Sequence, residues 1–273
     1  MTPYAKAALV VVSGLPAPSG VGGVIVQPGT RTLPRPRDAL VFADQEGGVV
    51  KTFPSLPPWR AAASFGTAAE AYAAGRATGT SLRHAGVDVD LAPVLDRPDG
   101  PLGSRQFRNP LLGVAFARGL TAAGAGACAK HFPGLGSAAI STDERPHVDA
   151  IVRPSDLVPF RAAVRARVPC VMASHAFYAR FGRFRASLEP GTYRMLRSLG
   201  FRGVAITDSL SLVRAAPVER WAPQAVRAGA DLLLFDSPAH ARRAIRALVP
   251  LARRGELDAH VARVLAFRRR FRR

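Results

Sequence analysis

The sequence predicts an α/β protein whose parallel strands close into a (β/α)8 TIM-type barrel, abbreviated in its first two βα units. Three observations carry this. Short apolar runs bounded by turn residues recur about eight times. Stretches with apolar residues at helical spacing separate most of them. The length, 273 residues, suits a barrel of this kind read as one domain over 1–273. No Gly-x-Gly-x-x-Gly turn follows the first run, which weakens the rival open doubly wound sheet.

The expected strands are Ala8 to Val12, Val24 to Val26, Ala39 to Ala43, Val87 to Ala92, Ala125 to Ala129, Pro169 to Ala173, Gly203 to Thr207 and Asp231 to Phe235. Each stops at Gly, Pro or a polar residue. The expected helices are Ala61 to Ala85, Pro110 to Ala123, Asp156 to Ala166 with Ser155 as N-cap, Gly191 to Leu199, Pro223 to Ala228, Ala239 to Arg253 and Asp258 to Arg270. Two links break the pattern. Leu15 to Val21 and Gly29 to Asp38 each hold two prolines and no helical spacing. A parallel crossover normally takes a dozen residues or more, so the second strand is expected to run antiparallel or be displaced.

Net charge is +19, which raises polyanions as partners. The cations are nearly all arginine; Lys6, Lys51 and Lys130 are the lysines. The arginines are spread along helices except for the block Arg268 to Arg273, and no aromatic residues interleave with them as in single-strand binders. No nucleic-acid partner is therefore expected; clustering of the arginines on one face would speak for a polyanion. No apolar run is long enough to span a bilayer. Ala7 to Val12 after Lys6 reads as a buried strand in a cytoplasmic protein, with a weak signal peptide as the alternative. Cys128 and Cys170 lie in apolar runs and are expected as buried free thiols in neighbouring strands.

Chemistry in such a barrel sits where strands end. Those ends carry Asp44, Glu46, Asp96, Lys130, His131, His175, Asp208 and Asp236. There is no zinc-type Cys/His set, no Walker A sequence and no Gly-x-Ser-x-Gly elbow. Carboxylates facing Lys, His and Arg suit a polyol: hydroxyls need charged partners, and an oxocarbenium-like transition state needs a nearby anion.

Eight segments then resemble the family 3 glycoside hydrolases, specifically the single-domain bacterial β-N-acetylhexosaminidases. They are ADQEGG (43–48), VDVDLAPVLDRP (87–98), GSRQF (103–107), AKHFPGLG (129–136), VMASHAFY (171–178), LGFRGVAITDSLSL (199–212), AGADLLLF (228–235) and LDAHVARVLAFRRR (257–270). The resemblance runs from about residue 23 to the C-terminus. It implies a TIM-type barrel and a retaining β-glycosidase acting on terminal β-linked N-acetylglucosamine, with a glycan or small glycoside as partner and no metal or organic cofactor. It implies Asp208 as nucleophile, Asp44 as the carboxylate gripping substrate hydroxyls, Lys130 and His131 as the hydroxyl-binding pair, Arg105 as the arginine of the family's RSF loop, and His175 as a residue lining the mouth. Asp90 and Asp96 are read as structural.

The resemblance is broken at one place that matters. Such enzymes carry an Asp-x-His pair in the loop after the KHFPG segment, whose histidine is the acid/base. The aligned positions here are Ser141 and Asp143. Asp143 is the expected substitute acid, with Glu144 and His147 as the alternatives nearby. Leu135 also stands where a His is common, and Val49 where an Arg is common. Two readings follow: a hydrolase with a carboxylate acid, or a barrel that keeps the sugar cleft for binding and has lost efficient turnover.

Overall fold

The computed structural model describes residues 1–212 and 217–272. Arg273 of the basic tail lies outside them. The strands are β1 (Val11–Ser13), β2 (Gly23–Val26), β3 (Leu40–Ala43), β4 (Gln45–Gly47), β5 (Val50–Lys51), β6 (Val89–Asp90), β7 (Gly126–Phe132), β8 (Cys170–Ala173), β9 (Val204–Thr207) and β10 (Leu233–Phe235). The helices are α1 (Pro3–Leu9), α2 (Ala68–His84), α3 (Pro110–Ala122), α4 (Leu157–Arg165), α5 (Pro190–Ser198), α6 (Val218–Ala228), α7 (Pro238–Arg253) and α8 (Asp258–Phe271).

Eight strands pair in parallel in the order β10-β1-β2-β3-β6-β7-β8-β9. A parallel bridge between Ile206 and Leu232, and the Asp231 N–H donating to the Ala205 carbonyl at 2.7 Å, join the last strand to the first. The sheet is thus nearly closed into a barrel, consistent with the (β/α)8 prediction. Its strands are buried on both faces, which explains why they read as continuous apolar runs. Among the described residues, no helix is long and apolar enough to cross a membrane.

The abbreviation at the start is real. No helix links β1 to β2, and a single 3-10 turn, Pro28–Thr30, lies between β2 and β3. The orientation expected for the second strand is corrected, however: β2 is parallel to both β1 and β3. The strands are short, so an extended link at about 3.3 Å per residue returns to the starting end without a helix. The first strand is also shifted. Residues expected to begin it form α1, capped by the Thr2 side chain accepting from the Ala5 N–H at 3.1 Å. The link back to β2 rests on this helix, with the Gly22 N–H donating to the Ala8 carbonyl at 3.1 Å.

Other boundaries move for local reasons. α2 starts at Ala68 rather than Ala61 because Thr67 and Glu70 form a reciprocal capping box. α6 starts at Val218, so Pro223 lies within it rather than at its start. Ser155 is not the N-cap of α4. It sits in a 3-10 turn, Pro154–Asp156, where the Asp156 carboxylate accepts from the Arg153 N–H at 2.7 Å. The β4–β5 hairpin is antiparallel, lies outside the barrel sheet and was not expected.

The expectation of free thiols is overturned. Cys128 and Cys170 do lie in neighbouring strands, but they are joined as a disulfide. The cause is register: the two are direct partners in the β7–β8 ladder, with Cα atoms 4.3 Å apart.

Candidate active site

Six of the seven predicted site residues, Asp44, Arg105, Lys130, His131, Asp143 and Asp208, line one cavity of about 210 Å³ at the C-terminal ends of the strands. The fold brings them there one strand at a time. Asp44 follows β3, Lys130 and His131 close β7, and Asp208 follows β9.

Lys130 is the hub. Its Nζ lies 2.7 Å from Asp44 Oδ1 and 2.7 Å from Glu46 Oε1. Arg105 forks onto the same Glu46, Nε to Oε2 at 2.8 Å and Nη2 to Oε1 at 2.9 Å. Such bidentate pairs fix direction as well as charge. Burial works to raise the Glu46 pKa, but Lys130 and Arg105 outweigh it and hold the carboxyl at about 2. Burial works to lower the Lys130 pKa, and Asp44 and Glu46 reverse it, so the ammonium persists. Arg105 is likewise held above its ordinary value, burial being outweighed by Glu46. Glu46 was read as one of the rim carboxylates; its structural role is to orient two cations that face the cavity.

Asp96 organises the next turn. Its Oδ2 is 2.7 Å from His131 Nδ1, and its Oδ1 accepts from the Leu135 N–H at 2.7 Å. A buried carboxylate thus sets the ring orientation of His131, which supports its reading as structural. Asp90 is also buried and accepts from the Gln45 N–H at 3.0 Å. Burial pushes its carboxyl well above the usual range.

Asp208 is 9% exposed. Its N–H donates to the Ala173 carbonyl at 3.1 Å, and its Oδ1 accepts from the Ser209 N–H at 2.8 Å. Burial works to raise its pKa. The neighbouring His175 and His131, the Ser209 amide and the Lys130 ammonium outweigh it and hold the carboxyl below its ordinary value. A rigid, ionised carboxylate at a barrel mouth is chemically a nucleophile or an electrostatic anchor for a cation.

His175 is placed differently from expectation. It is buried and does not line the cavity. Its Nδ1 meets Ser187 Oγ at 2.9 Å, and burial brings its pKa down to about 4. Asp143 lies in the loop above the cavity, its side chain 52% exposed and its Oδ2 3.2 Å from Arg105 Nη1. The loop alternatives stand further out. His147 pairs with Asp149 at 3.3 Å and stacks on Phe177 with ring centres 4.1 Å apart; neither it nor Glu144 lines the cavity.

Among the other residues lining the cavity, Asp236 and Gln27 were not predicted site residues. Asp236, after β10, receives a hydrogen bond from Gln27 Nε2 at 3.1 Å. Burial, then its neighbours Asp44, Asp208 and Asp143, push its carboxyl up to about 6. The rim pattern already showed Asp236; Gln27 follows β2, where no ionisable residue drew attention.

The sequence profile of the glycosyl hydrolase family 3 N-terminal domain matches residues 30–267. A β-hexosaminidase of Methylococcus capsulatus is 34% identical over 224 residues, covering 72% of this chain and 66% of that protein. The structure of a family 3 β-N-acetylglucosaminidase from a Paenibacillus species superposes with a TM-score of 0.87 at 28% identity, over 99% of this chain and 62% of that one. A family 3 glycosyl hydrolase of Mycobacterium smegmatis superposes with a TM-score of 0.84 at 28% identity, over 98% of this chain and 97% of that one. The chain thus spans slightly less than two thirds of some of these relatives and nearly all of others. By the profile match over most of its length, the chain belongs to glycosyl hydrolase family 3.

Proposed function

We propose that this protein is a retaining β-glycosidase that releases terminal β-linked N-acetylglucosamine from glycans or small glycosides. The observation that carries the reading is the convergence of Asp208 with Lys130, Asp44 and Arg105 on one small cavity. The similar proteins, a β-hexosaminidase and a β-N-acetylglucosaminidase, suggest the sugar.

In this reading a sugar ring sits over Lys130, His131 and Asp44, which orient its hydroxyls. The Asp208 carboxylate attacks C1 as the bond to the departing oxygen breaks. A proton passes to that oxygen from Asp143, so the leaving group departs as an alcohol. The resulting glycosyl ester is then attacked by water, which gives a proton back to Asp143, and Asp208 leaves as a carboxylate. Two inversions retain the β configuration. Arg105, shared between Glu46 and Asp143, holds the acid's loop over the cavity. A carboxylate acid repels phosphate, so water rather than phosphate is the acceptor.

The test is nitrophenol release from aryl β-N-acetylglucosaminide and aryl β-glucoside by the wild type, Asp208→Asn and Asp143→Asn. Turnover of the amino sugar, abolished in Asp208→Asn, is expected. A loss in Asp143→Asn that azide or a better leaving group restores identifies the acid. A folded wild type that binds N-acetylglucosamine but turns over neither glycoside contradicts the enzymatic reading and leaves a sugar-binding barrel.

A further inference from the structure

The opposite end of the barrel holds a second cavity, larger than the first at about 570 Å³. It opens at the N-terminal ends of β8 and β9, between the last turn of α4, the α5–β9 turn and α8. Its floor is apolar and includes the buried side chains of Val168, Phe201, Val204 and Phe267. Its rim is Arg165, Arg167, Arg202, Arg263 and Arg270, and no Asp or Glu lines it.

Among the described residues, Arg263 is the one rim arginine in an ion pair, its Nε 2.6 Å from Asp231 Oδ1. Among the described residues the other four make no ion pair; Arg270 lies over the ring of its neighbour Phe271 at 5.0 Å. Guanidinium groups crowded around low-dielectric walls repel one another unless an anion joins them.

The backbone adds an independent sign. Arg167 has φ +57°, in the left-handed region. It occupies the position just past the C-cap of α4, with the Val168 N–H donating to the Ala163 carbonyl at 3.0 Å in a Schellman closure. Helices α2, α3, α5 and α7 fill the same position with Gly86, Gly124, Gly200 and Gly255. An arginine there strains the turn that glycine would relax, and it places a fifth cation on the rim.

We propose that this cavity is a binding site for a small organic phosphate, an ester with an apolar or aromatic body. The phosphate oxygens take forked hydrogen bonds from the arginine rim, and the body covers the phenylalanine floor. Inorganic phosphate alone meets the rim but leaves the floor bare.

The test is calorimetric titration of the full chain with 1-naphthyl phosphate, inorganic phosphate and 1-naphthol at about 0.15 M salt. The ester is expected to bind at least about tenfold more tightly than either fragment. Arg167→Gly and Arg202→Gln are each expected to weaken it by about tenfold. Arg167→Gly leaves the helix-ending turn in its favoured form, so a loss of binding there is not a loss of folding. Hydrolysis by Arg167→Gly, and ester binding by Asp208→Asn, are expected to match the wild type. Equal binding by wild type and Arg167→Gly overturns the proposal. So does competition by N-acetylglucosamine or loss of binding in Asp208→Asn, either of which moves the ester to the catalytic mouth.

Discussion

The two ends of this barrel handle charge in opposite ways. At the mouth, Asp44, Asp143, Asp208 and Asp236 surround Lys130 and Arg105, and both cations are tied to the buried Glu46. At the base, a cavity more than twice as large is ringed by arginines with no carboxylate among its lining. The chain's net charge of +19 describes neither end. At the mouth, Glu46, Asp44 and Asp143 neutralise Lys130 and Arg105, and among the described residues Asp208 and Asp236 make no ion pair, which leaves them to meet a transition state of positive character. A site built for an anion does the reverse.

The largest expected effect falls on the mouth alone. Asp208→Asn lowers kcat by roughly a thousandfold or more, as removal of a covalent nucleophile does, while naphthyl phosphate binding at the base persists. An Asp208→Asn enzyme with near wild-type turnover breaks the assignment of chemistry to this end. Next comes stability. Lys130→Ala leaves Glu46 buried beside Arg105 and without its ammonium partner, and denaturant unfolding is expected to show a loss of about 3–5 kcal/mol. Removal of an arginine from the base has no comparable effect, because none of Arg165, Arg167 and Arg202 is buried.

Asp236 sharpens the comparison through pH. Its folded carboxyl titrates at about 6, above the ordinary value of 3.8. The folded state therefore holds this proton more tightly than the unfolded chain. Stability from this group is present below about pH 4 and is lost as pH rises through 6. Asp236→Asn should accordingly stabilise the protein by about 1–3 kcal/mol at pH 7.5 and by nothing near pH 3.5. In kinetics, wild-type kcat/KM should fall as pH drops through 6, because a neutral Asp236 no longer steadies a cationic transition state. A limb near pH 6 that survives in Asp236→Asn assigns it to another group. The smallest effect is at the base: Arg167→Gly should raise stability by about 1 kcal/mol by relieving a left-handed arginine. A lower melting temperature in that variant contradicts the strain reading.

Much of this was legible in the sequence. Parallel strands buried on both faces announce themselves as apolar runs, and their polar ends are where a barrel places its chemistry, so Asp44, Lys130, His131 and Asp208 were found with the architecture. What was hidden depends on three-dimensional partners. The register that joins Cys128 to Cys170 cannot be read from either strand alone. The parallel β2 followed from a link that spacing rules undervalue when strands are short. His175 sits after β8 like the other site residues, yet its ring turns into the wall toward Ser187. Arginines spread along α4, the α5–β9 turn and α8 give no sign in the sequence of the one cavity around which folding gathers them.

The central claim is that Asp208 becomes esterified to the sugar at the mouth. The most direct measurement is to trap that ester with 5-fluoro-N-acetylglucosaminyl fluoride and map it by peptide mass spectrometry. The account predicts one sugar on the peptide containing Asp208, with activity returning as the ester hydrolyses. A label on any other residue, or turnover of the reagent with no label at all while the product anomer is inverted, contradicts it.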